Sequence, residues 1–224
     1  MPENNFPHPT KWWWVRHAPV ADAHPAVRIS AQLDVDANTA TAESIKSIKW
    51  LANTLPADAK WITSSLVRTH QTADAIITAG IDCGEIKNDA RLNEQNFGQW
   101  AGLTWDELGI EKGSAAEQFW QAPATTAPPG GESFANLMAR VAPAIDDLTQ
   151  VYSGRDIVCV AHAGTIRAAL AHALGLGPEK ALSFNVGNLS LTRIDHINGG
   201  LKLKRGGHWR VGGVNIICEG SKNL

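Results

Sequence analysis

The sequence predicts an α/β layer fold whose sheet is mainly parallel, with an antiparallel edge. Short apolar runs typical of strands alternate with longer segments in which apolar residues repeat at helical spacing, and this alternation favours parallel strands joined by helices. Further strand-like runs stand close together near the C-terminal end, where they favour antiparallel pairing. The chain has 224 residues, enough for one sizeable core, so we expect a single domain.

Six segments have the composition of strands and four have the periodicity of helices. The strand candidates are 12–16, 60–63, 156–161, 182–186, 189–195 and 201–204. The helix candidates are 39–55, 66–79, 133–151 and 164–174. Pro143 removes an internal hydrogen bond from the third helix candidate, so a kink is expected there. Residues 1–10 hold three prolines and two asparagines and are expected to form a flexible leader before a domain over 11–224.

The segment 95–130 does not fit this alternation. It is rich in glycine, proline and alanine, and it offers at most a short helix near 104–108. Its aromatic residues argue against disorder; they are Phe97, Trp100, Trp105, Phe119 and Trp120. Long insertions in compact domains often cover a functional site, so a lid is expected here.

The charge and hydropathy patterns exclude some classes of partner. Twenty Lys and Arg stand against 22 Asp and Glu, a formal net charge of −2, so no basic field is available for nucleic acid or an anionic membrane. No stretch approaches the ~18 apolar residues of a membrane span, and the first residues lack a signal-peptide pattern. We expect a cytoplasmic protein that binds a small molecule. The number of subunits stays open, a homodimer included.

The cysteines do not indicate a metal site or a disulfide framework. Cys83, Cys159 and Cys218 are odd in number and far apart, without the spacing of a zinc site. They are expected to be reduced core or surface residues.

Three apolar runs end in the same way. The run WWWV leads into Arg16 and His17. The run WIT leads, after two serines, into Arg68, and IVCVA leads into His162. Ligands of open α/β sheets bind beyond the carboxyl ends of the strands, so these side chains are expected to meet in one strongly positive place.

Two helix N-termini are expected to face the same place. Ser64 or Ser65 is the expected N-cap of the second helix, and Gly164 opens the fourth, so free N–H groups would favour an anion there. Arg68 and Arg167 lie in these first turns, where a cation is unfavourable by about 0.3 to 1 kcal/mol unless an anion offsets it. Taken singly, each of these residues has a structural interpretation, which stays the preferred one for Arg167. Their joint occurrence indicates a site.

Five segments, in order, resemble the histidine phosphatase superfamily, also called phosphoglycerate mutase-like. They are VRHAPV, SSLVRTHQTA, LNEQNFGQWAGLTW, GGESF and VAHAGTIRAAL, and the resemblance runs from about residue 11 to about residue 215. It implies a three-layer α/β/α sandwich with a mainly parallel, mixed central sheet. It also implies a phosphohistidine intermediate formed without a metal or other cofactor.

The resemblance assigns roles residue by residue. His17 is implied to be the nucleophile and Glu94 the proton donor. Ala163 and Gly164 are implied to let backbone N–H groups approach the phosphate. The full implied catalytic set is His17, Glu94, His162, Arg16 and Arg68, of which Arg16, Arg68 and His162 also bind the phosphate.

The chemistry of phosphate esters fits these residues independently. A nucleophile that attacks a phosphate dianion needs fixed positive charge around it, which arginines and helix N-termini supply. A neutral imidazole is nucleophilic without a separate base, so His17 can split hydrolysis into two steps. Glu94 can protonate the leaving alkoxide and then deprotonate the attacking water.

The chain departs from the family pattern at several positions. Ala18 replaces the signature glycine, the Gly-Glu-Thr and asparagine that often follow are absent, and Ala101 stands where many members have Glu. The RHAP variant and the QLDV sequence look most like the α-ribazole phosphatase-like branch. That branch usually has Tyr-Gly before QLDV, where this chain has Ser30 and Ala31.

The residues also bear on the substrate. From Glu94 to Gly131 the only basic residue is Lys112, which argues for a phosphatase over a mutase, since a mutase must hold a second anion. The aromatic residues of 95–130 suggest a leaving group with an apolar part, such as α-ribazole 5′-phosphate or a similar nucleoside or sugar phosphate. The alternative is that they pack a small core under the lid.

Two other classes remain open. His17, His162 and Glu94 could form a two-histidine, one-carboxylate metal site, although two arginines beside a cation would be unfavourable. The protein could also bind phosphate without catalysis.

Overall fold

Six strands and seven helices lie within the part of the chain that the computed structural model describes, residues 8–20, 29–109, 111, 113–200 and 207–220. The strands are β1 (Thr10–Arg16), β2 (Lys60–Thr63), β3 (Ile86–Asn88), β4 (Asp156–Ala161), β5 (Leu191–His196) and β6 (Trp209–Ile216). The helices are α1 (Ala42–Thr54), α2 (Val67–Thr78), α3 (Trp105–Leu108), α4 (Ala115–Gln121), α5 (Phe134–Val151), α6 (Ala163–Leu174) and α7 (Pro178–Ala181). Short 3-10 turns occupy Ala90–Leu92 and Gly98–Trp100.

The strands form one mixed sheet in the order β3-β2-β4-β1-β5-β6. The pairs β2/β3, β2/β4 and β1/β4 are parallel, whereas β5 is antiparallel to both β1 and β6. One face of the sheet packs on α1 and α2, and the other on α5, α6 and α7. The predicted three-layer α/β/α sandwich with a mainly parallel sheet is confirmed.

The tryptophan run places apolar side chains on both faces of β1. Because successive side chains of a strand alternate, Trp12 and Trp14 pack with α5 and α6, while Val15 packs with α1 and α2. The Trp12 and Trp14 rings stack with centroids 4.8 Å apart, and the Trp12 indole N–H donates to Thr149 Oγ1 at 2.9 Å. Helices thus pack on both faces of β1, in which Trp13 and Arg16 stay partly exposed.

Most of the predicted elements are found, with ends moved by a few residues. The four long helices and the strands near 12–16, 60–63, 156–161 and 189–195 are present, as is the short helix near 104–108. The helix α5 begins with a capping box of Ser133 and Asn136 and continues with Pro143 inside it. The strand candidate 201–204 lies outside the described residues.

The predicted strand 182–186 is wrong. These residues follow α7 and lie outside the sheet: 182–183 form a turn, and Ser183 N donates to Lys180 O and Phe184 N to Ala181 O. The carbonyl oxygens of Phe184 and Val186 accept hydrogen bonds from arginine side chains instead of from a neighbouring strand. Hydrogen bonds from Arg16 and Arg167, which are distant in the sequence, thus take the place of strand pairing despite the local β propensity.

Four elements were not predicted: β3, β6, α4 and α7. The edge strand β3 has only three residues, two of them exposed, so it lacks the apolar pattern of a strand. Gly212 and Gly213 interrupt the pattern of β6. Within the described residues, no helix has the length and hydropathy that crossing a lipid bilayer requires.

Candidate active site

The structure brings the residues that follow β1 and β4 side by side. These parallel strands are neighbours in a register that pairs Arg16 with Ala161. His17 and His162 therefore follow adjacent strand ends, with ring centroids 5.2 Å apart, and His17 N donates to Ala161 O at 3.0 Å. Arg68, from the first turn of α2, donates from Nε to His17 Nε2 at 3.3 Å.

The hydrogen bonds of His17 fix its tautomer. Its Nδ1 lies 2.6 Å from Ala18 O, and a carbonyl oxygen can only accept, so Nδ1 has the proton and Nε2 keeps its lone pair. Burial, then the charges of Arg16 and Arg68, hold the pKa of His17 well below its ordinary value. The imidazole is therefore neutral near pH 7, with a nucleophilic nitrogen among cations.

The guanidinium of Arg68 is 0% exposed and is bonded on three sides. Besides the bond to His17, Nη1 donates to Leu33 O at 2.8 Å and Nη2 donates to Ala31 O at 2.6 Å. Burial lowers the pKa of Arg68, while the carboxylates of Glu94 and Asp34 oppose that shift.

Arg16 is held by the connection before β5. Its Nη1 donates to Val186 O at 2.7 Å, while its buried Nε has no partner among the described residues. The same connection fixes the backbone of the signature, because Leu189 N donates to Arg16 O and Asn188 Nδ2 donates to His17 O. Burial lowers the pKa of Arg16, Glu94 raises it, and Arg167 lowers it. Arg167 is thus electrostatically part of this cluster, while its Nε donates to a backbone carbonyl.

His162 is fully buried and has one side-chain partner in the described chain. Its Nε2 lies 2.8 Å from Ser64 Oγ, and its Nδ1 has no partner there. Burial, followed by His17 and then the nearby arginines, holds the pKa of His162 well below its ordinary value. Ala163, the next residue, is the first residue of α6.

The expected serine cap of α2 is wrong. The N-cap residue is Leu66, which has no side-chain cap bond. Ser64 Oγ bonds to His162 and accepts from Leu66 N at 3.2 Å, and Ser65 N donates to Asn93 Oδ1. The serines are used to join α2 to neighbouring loops, a long-range role that a local capping pattern does not reveal.

Glu94 lies against the N-terminus of α6. Gly164 N donates to Glu94 Oε2 at 3.3 Å, and Gln95 N donates to Oε1 at 2.9 Å. A Cβ on Gly164 would stand 2.3 Å from Glu94 Oε1, so only glycine permits this approach. The structure therefore brings together the whole set predicted from the sequence: Arg16, His17, Arg68, Glu94, His162, Ala163 and Gly164.

The GGESF segment, residues 130–134, and Arg140 of α5 contact the loop that contains Glu94. Arg140 donates to Arg91 O at 2.7 Å and pairs with Glu132 at 2.5 Å. Gly131 packs so closely on this loop that a Cβ would stand 2.4 Å from Asn96 O. These contacts fix the loop that presents Glu94.

The aromatic residues of 95–130 form a small core of their own. Trp100 and Phe119 are buried in it together with Ile29 and Ala31. Trp105 and Trp120 lie at its surface, with rings 5.2 Å apart. For Trp100 and Phe119, the structure supports the packing alternative over direct contact with a ligand.

Ala18 replaces the signature glycine without strain. It is buried, it is not among the described residues with positive φ, and its N–H donates to Thr72 Oγ1 at 2.9 Å. Sequence reasoning missed the partners that hold the site: Ser64 on His162, Thr72 on Ala18, and Asn188 on His17. Only Ser64 had a sequence signal, as a possible cap.

The variant Gly164→Ala is expected to lower catalytic efficiency by about 10²-fold, because the added methyl would displace the carboxylate of Glu94. Steady-state kinetics on a phosphate ester measures this loss. Gly177→Ala is the matched control, since its Cβ would meet only Glu179 Oε2 at 3.6 Å. Equal activity of the two variants would contradict the placement of Glu94.

Stability is expected to fall as the pH drops below about 6.5. The pKa values of His17 and His162 are lowered in the folded protein, so below about pH 6.5 the unfolded chain binds more protons at these two residues than the folded protein does. The free energy of unfolding then decreases by at most about 2.7 kcal/mol per pH unit for the two residues together. Urea unfolding between pH 7.5 and 5.5 should show a shallower dependence for His17→Gln than for the unchanged protein. The same slope in both would contradict this origin.

Fold and site together define a class: an α/β sandwich with a histidine and arginine anion site beyond the carboxyl ends of its strands. The chain belongs to the histidine phosphatase superfamily (branch 1), whose family model matches residues 12–207.

Curated relatives match part of the chain. A protein of Cytophaga hutchinsonii named 2,3-bisphosphoglycerate-dependent phosphoglycerate mutase is 35% identical over 120 residues, which are 52% of this chain and 56% of that protein. A protein of Rhizobium meliloti with the same name is 32% identical over 127 residues, 55% of this chain and 60% of that protein. The chain thus spans little more than half the length of these relatives.

Solved structures match over nearly the whole chain. A mycobacterial glucosyl-3-phosphoglycerate phosphatase, in complex with VO3, has a TM-score of 0.74 and 25% identity over 92% of this chain and 99% of that one. A candidate alpha-ribazole-5′-P phosphatase from Escherichia coli has a TM-score of 0.77 and 20% identity over 92% of this chain and 96% of that one. The second likeness shows the fold alone.

Proposed function

We propose that this protein is a metal-independent phosphomonoester hydrolase that forms a phosphohistidine intermediate on His17. The observation that carries the proposal is the His17 imidazole, neutral and with Nε2 unprotonated, held next to the Arg68 guanidinium. A lone pair beside fixed positive charge suits attack on a phosphate dianion. Membership of the superfamily supports the same chemistry.

In the first step His17 Nε2 attacks phosphorus, and the bond from phosphorus to the ester oxygen breaks. Arg16 and Arg68 balance the charge on the phosphoryl oxygens, together with the N-terminus of α6. Glu94, in its protonated form, gives its proton to the departing alkoxide.

In the second step water attacks the phosphorus of phosphohistidine. Glu94, now a carboxylate, takes a proton from that water, so one group serves as acid and then as base. The phosphorus to nitrogen bond breaks, inorganic phosphate leaves, and His17 recovers its lone pair.

The proposed substrates are small-molecule phosphate esters such as α-ribazole 5′-phosphate or a similar nucleoside or sugar phosphate. The half-exposed Trp105 and Trp120 offer aromatic surface on the segment 95–130, which we assign as the cover of the site. The neighbour named as a glucosyl-3-phosphoglycerate phosphatase supports a phosphatase.

The second candidate is a phosphoglycerate mutase, which the names of the curated relatives favour. A mutase must bind a second anionic group of its substrate. The only basic residue between Glu94 and Gly131 is Lys112, so the sequence supports the phosphatase over the mutase. A protein that binds phosphate without catalysis is the third outcome that an assay has to separate.

A panel of phosphate esters, assayed with EDTA present, tests the proposal. The panel should include α-ribazole 5′-phosphate, sugar phosphates and 3-phosphoglycerate, the last with 2,3-bisphosphoglycerate to reveal mutase activity. Phosphate release that EDTA does not change is the expected result. Loss of activity with EDTA, restored by a divalent metal, would contradict the metal-independent mechanism. Among the described residues, His17, His162 and Glu94 do not form a cluster that could hold a metal ion. Interconversion of phosphoglycerates without phosphate release would support the mutase.

A further inference from the structure

The segment 29–37, which includes the QLDV sequence, lies beside Arg68 without being part of any helix or of the sheet. The catalytic steps proposed above use Arg68 to bind phosphate. Those steps do not explain what orients the long side chain of Arg68 toward the phosphoryl group. The segment 29–37 contacts the guanidinium of Arg68 directly.

The segment determines the orientation of the guanidinium plane. An arginine side chain has five N–H groups. In Arg68 one of them points to His17, one to Leu33 O at 2.8 Å and one to Ala31 O at 2.6 Å. One N–H remains on each terminal nitrogen, so the two carbonyl oxygens decide where the groups left for phosphate point.

A tight turn presents these two carbonyl oxygens. Leu33 N donates to Ser30 O at 2.7 Å and closes the turn. Ala31 has φ of 43°, in the left-handed region that residues other than glycine seldom adopt. Such strain persists only where the surroundings over-determine the backbone, and it clusters at functional sites.

Asp34 fixes the turn to the helix that contains Arg68. Its Oδ1 accepts from Val67 N at 2.7 Å, and Val67 is the first residue of α2. The N-cap residue of that helix, Leu66, makes no side-chain cap bond, so the carboxylate of Asp34 supplies the acceptor from outside the helix. Since Asp34 directly follows Leu33, this bond fixes the position of the Leu33 carbonyl relative to Arg68.

The other end of the segment joins the loop of Glu94 and the segment 95–130. Gln32 Nε2 donates to Glu94 O at 3.1 Å. Ile29 exchanges backbone hydrogen bonds with Gly102 and Leu103, at 2.8 and 2.9 Å. Residues 29–37 therefore contact the phosphate-binding arginine, the loop of the proton donor and the 95–130 core.

We propose that residues 29–37 position Arg68 for phosphate and that Asp34 is the positioning residue that anchors them. The proposal deepens the proposed function, because it names what holds the arginine of the same site. Asp34 acts through the backbone of the turn and does not itself touch the phosphate.

A simpler role for Asp34 gives the opposite expectation. Its carboxylate acts on the charge of Arg68 and opposes the fall in its pKa. If Asp34 were only a counter-ion that competes with phosphate, removing its charge would strengthen phosphate binding in every variant. If it anchors the turn, the result depends on whether a side-chain acceptor remains for Val67 N.

The test compares Asp34→Ala, Asp34→Asn and the control Asp74→Ala, which removes one negative charge from the exposed face of α2. Calorimetry gives the Kd of inorganic phosphate for each folded protein, and urea unfolding checks its stability. Asp34→Ala is expected to bind phosphate about five- to tenfold more weakly, because the turn that orients Arg68 loses its anchor. This factor corresponds to the free energy that a helix-capping acceptor contributes. Asp34→Asn, which keeps an acceptor oxygen, and Asp74→Ala should stay within about twofold of the unchanged protein. Tighter binding by both Asp34 variants, or no change in either, would overturn the proposal.

A second measurement reports on Arg68 without activity or phosphate. Nitrogen-15 NMR should show separate signals for its terminal N–H groups, because the two carbonyl oxygens restrict rotation of the guanidinium. Arg68→Lys assigns these signals by removing them. In Asp34→Ala they should merge or broaden, and sharp unchanged signals would overturn the proposal. If the unchanged protein bound no phosphate, the proposed function would fail, and these signals would still decide whether Asp34 holds Arg68.

Discussion

Replacing His17 with alanine is expected to reduce turnover of phosphate esters by about 10⁴-fold or more, since loss of a nucleophile leaves only binding and charge stabilisation. The fold should persist. The side chain bonds to Ala18 O and the guanidinium of Arg68 and lies against the ring of His162, while the strand before it is held by Trp12 and Trp14. A small residue in its place leaves those strand contacts intact.

Labelling of the phosphohistidine intermediate tests the role of His17 directly. Protein mixed with a phosphorus-32 ester and quenched in alkali should retain label on the unchanged chain and none on His17→Ala. His172→Ala is the control, because this histidine lies in the last turn of α6 and pairs with Asp146. Unlabelled wild-type protein under active turnover, or equal labelling of His17→Ala, would contradict the role of His17.

Glu94→Gln is expected to slow hydrolysis of esters with poor leaving groups by about 10² to 10⁴-fold, the range for loss of a general acid. The amide keeps the size of the side chain, but its single acceptor oxygen can replace only one of the two carboxylate oxygens that accept from Gly164 N and Gln95 N, so one of these backbone hydrogen bonds is lost. It cannot supply the proton that an alkoxide needs. With 4-nitrophenyl phosphate, whose leaving group departs without protonation, the first step should be nearly unchanged.

The second half of the reaction then becomes visible in Glu94→Gln. Without a base for water, phosphohistidine should accumulate, seen as a burst of 4-nitrophenolate followed by slow turnover. Glu179→Gln, a substitution in α7, is the control. Equal loss for both classes of ester, with no burst, would contradict the assignment of Glu94.

Much of the site could be predicted because its main members follow strands. The run WWWV is long and apolar enough to identify a buried strand, and β1 is parallel to β4, so Arg16, His17 and His162 had to meet at one edge. Glu94 was different. It lies in a loop without periodicity, and only the resemblance of its surrounding motif to a known family suggested its role.

The remaining contacts depend on partners far apart in the chain. Ser64 bonds to His162 across 98 positions, and Asn188 bonds to His17 across 171. Local pattern contains no information about such pairs, so Ser64 was expected to cap a helix. For the same reason the local pattern predicts a strand over 182–186, although the carbonyl oxygens of Phe184 and Val186 accept hydrogen bonds from arginine side chains.

The place of β1 within the sheet has a consequence for motion. Hydrogen-bonded neighbours flank it on both sides, β4 on one and β5 on the other, and helices cover both of its faces. Amide exchange along Trp12 to Val15 should therefore require global unfolding, unlike exchange at the edge strand β3. His17 therefore follows a strand that does not open locally, so any motion that admits substrate has to come from the loops around the site.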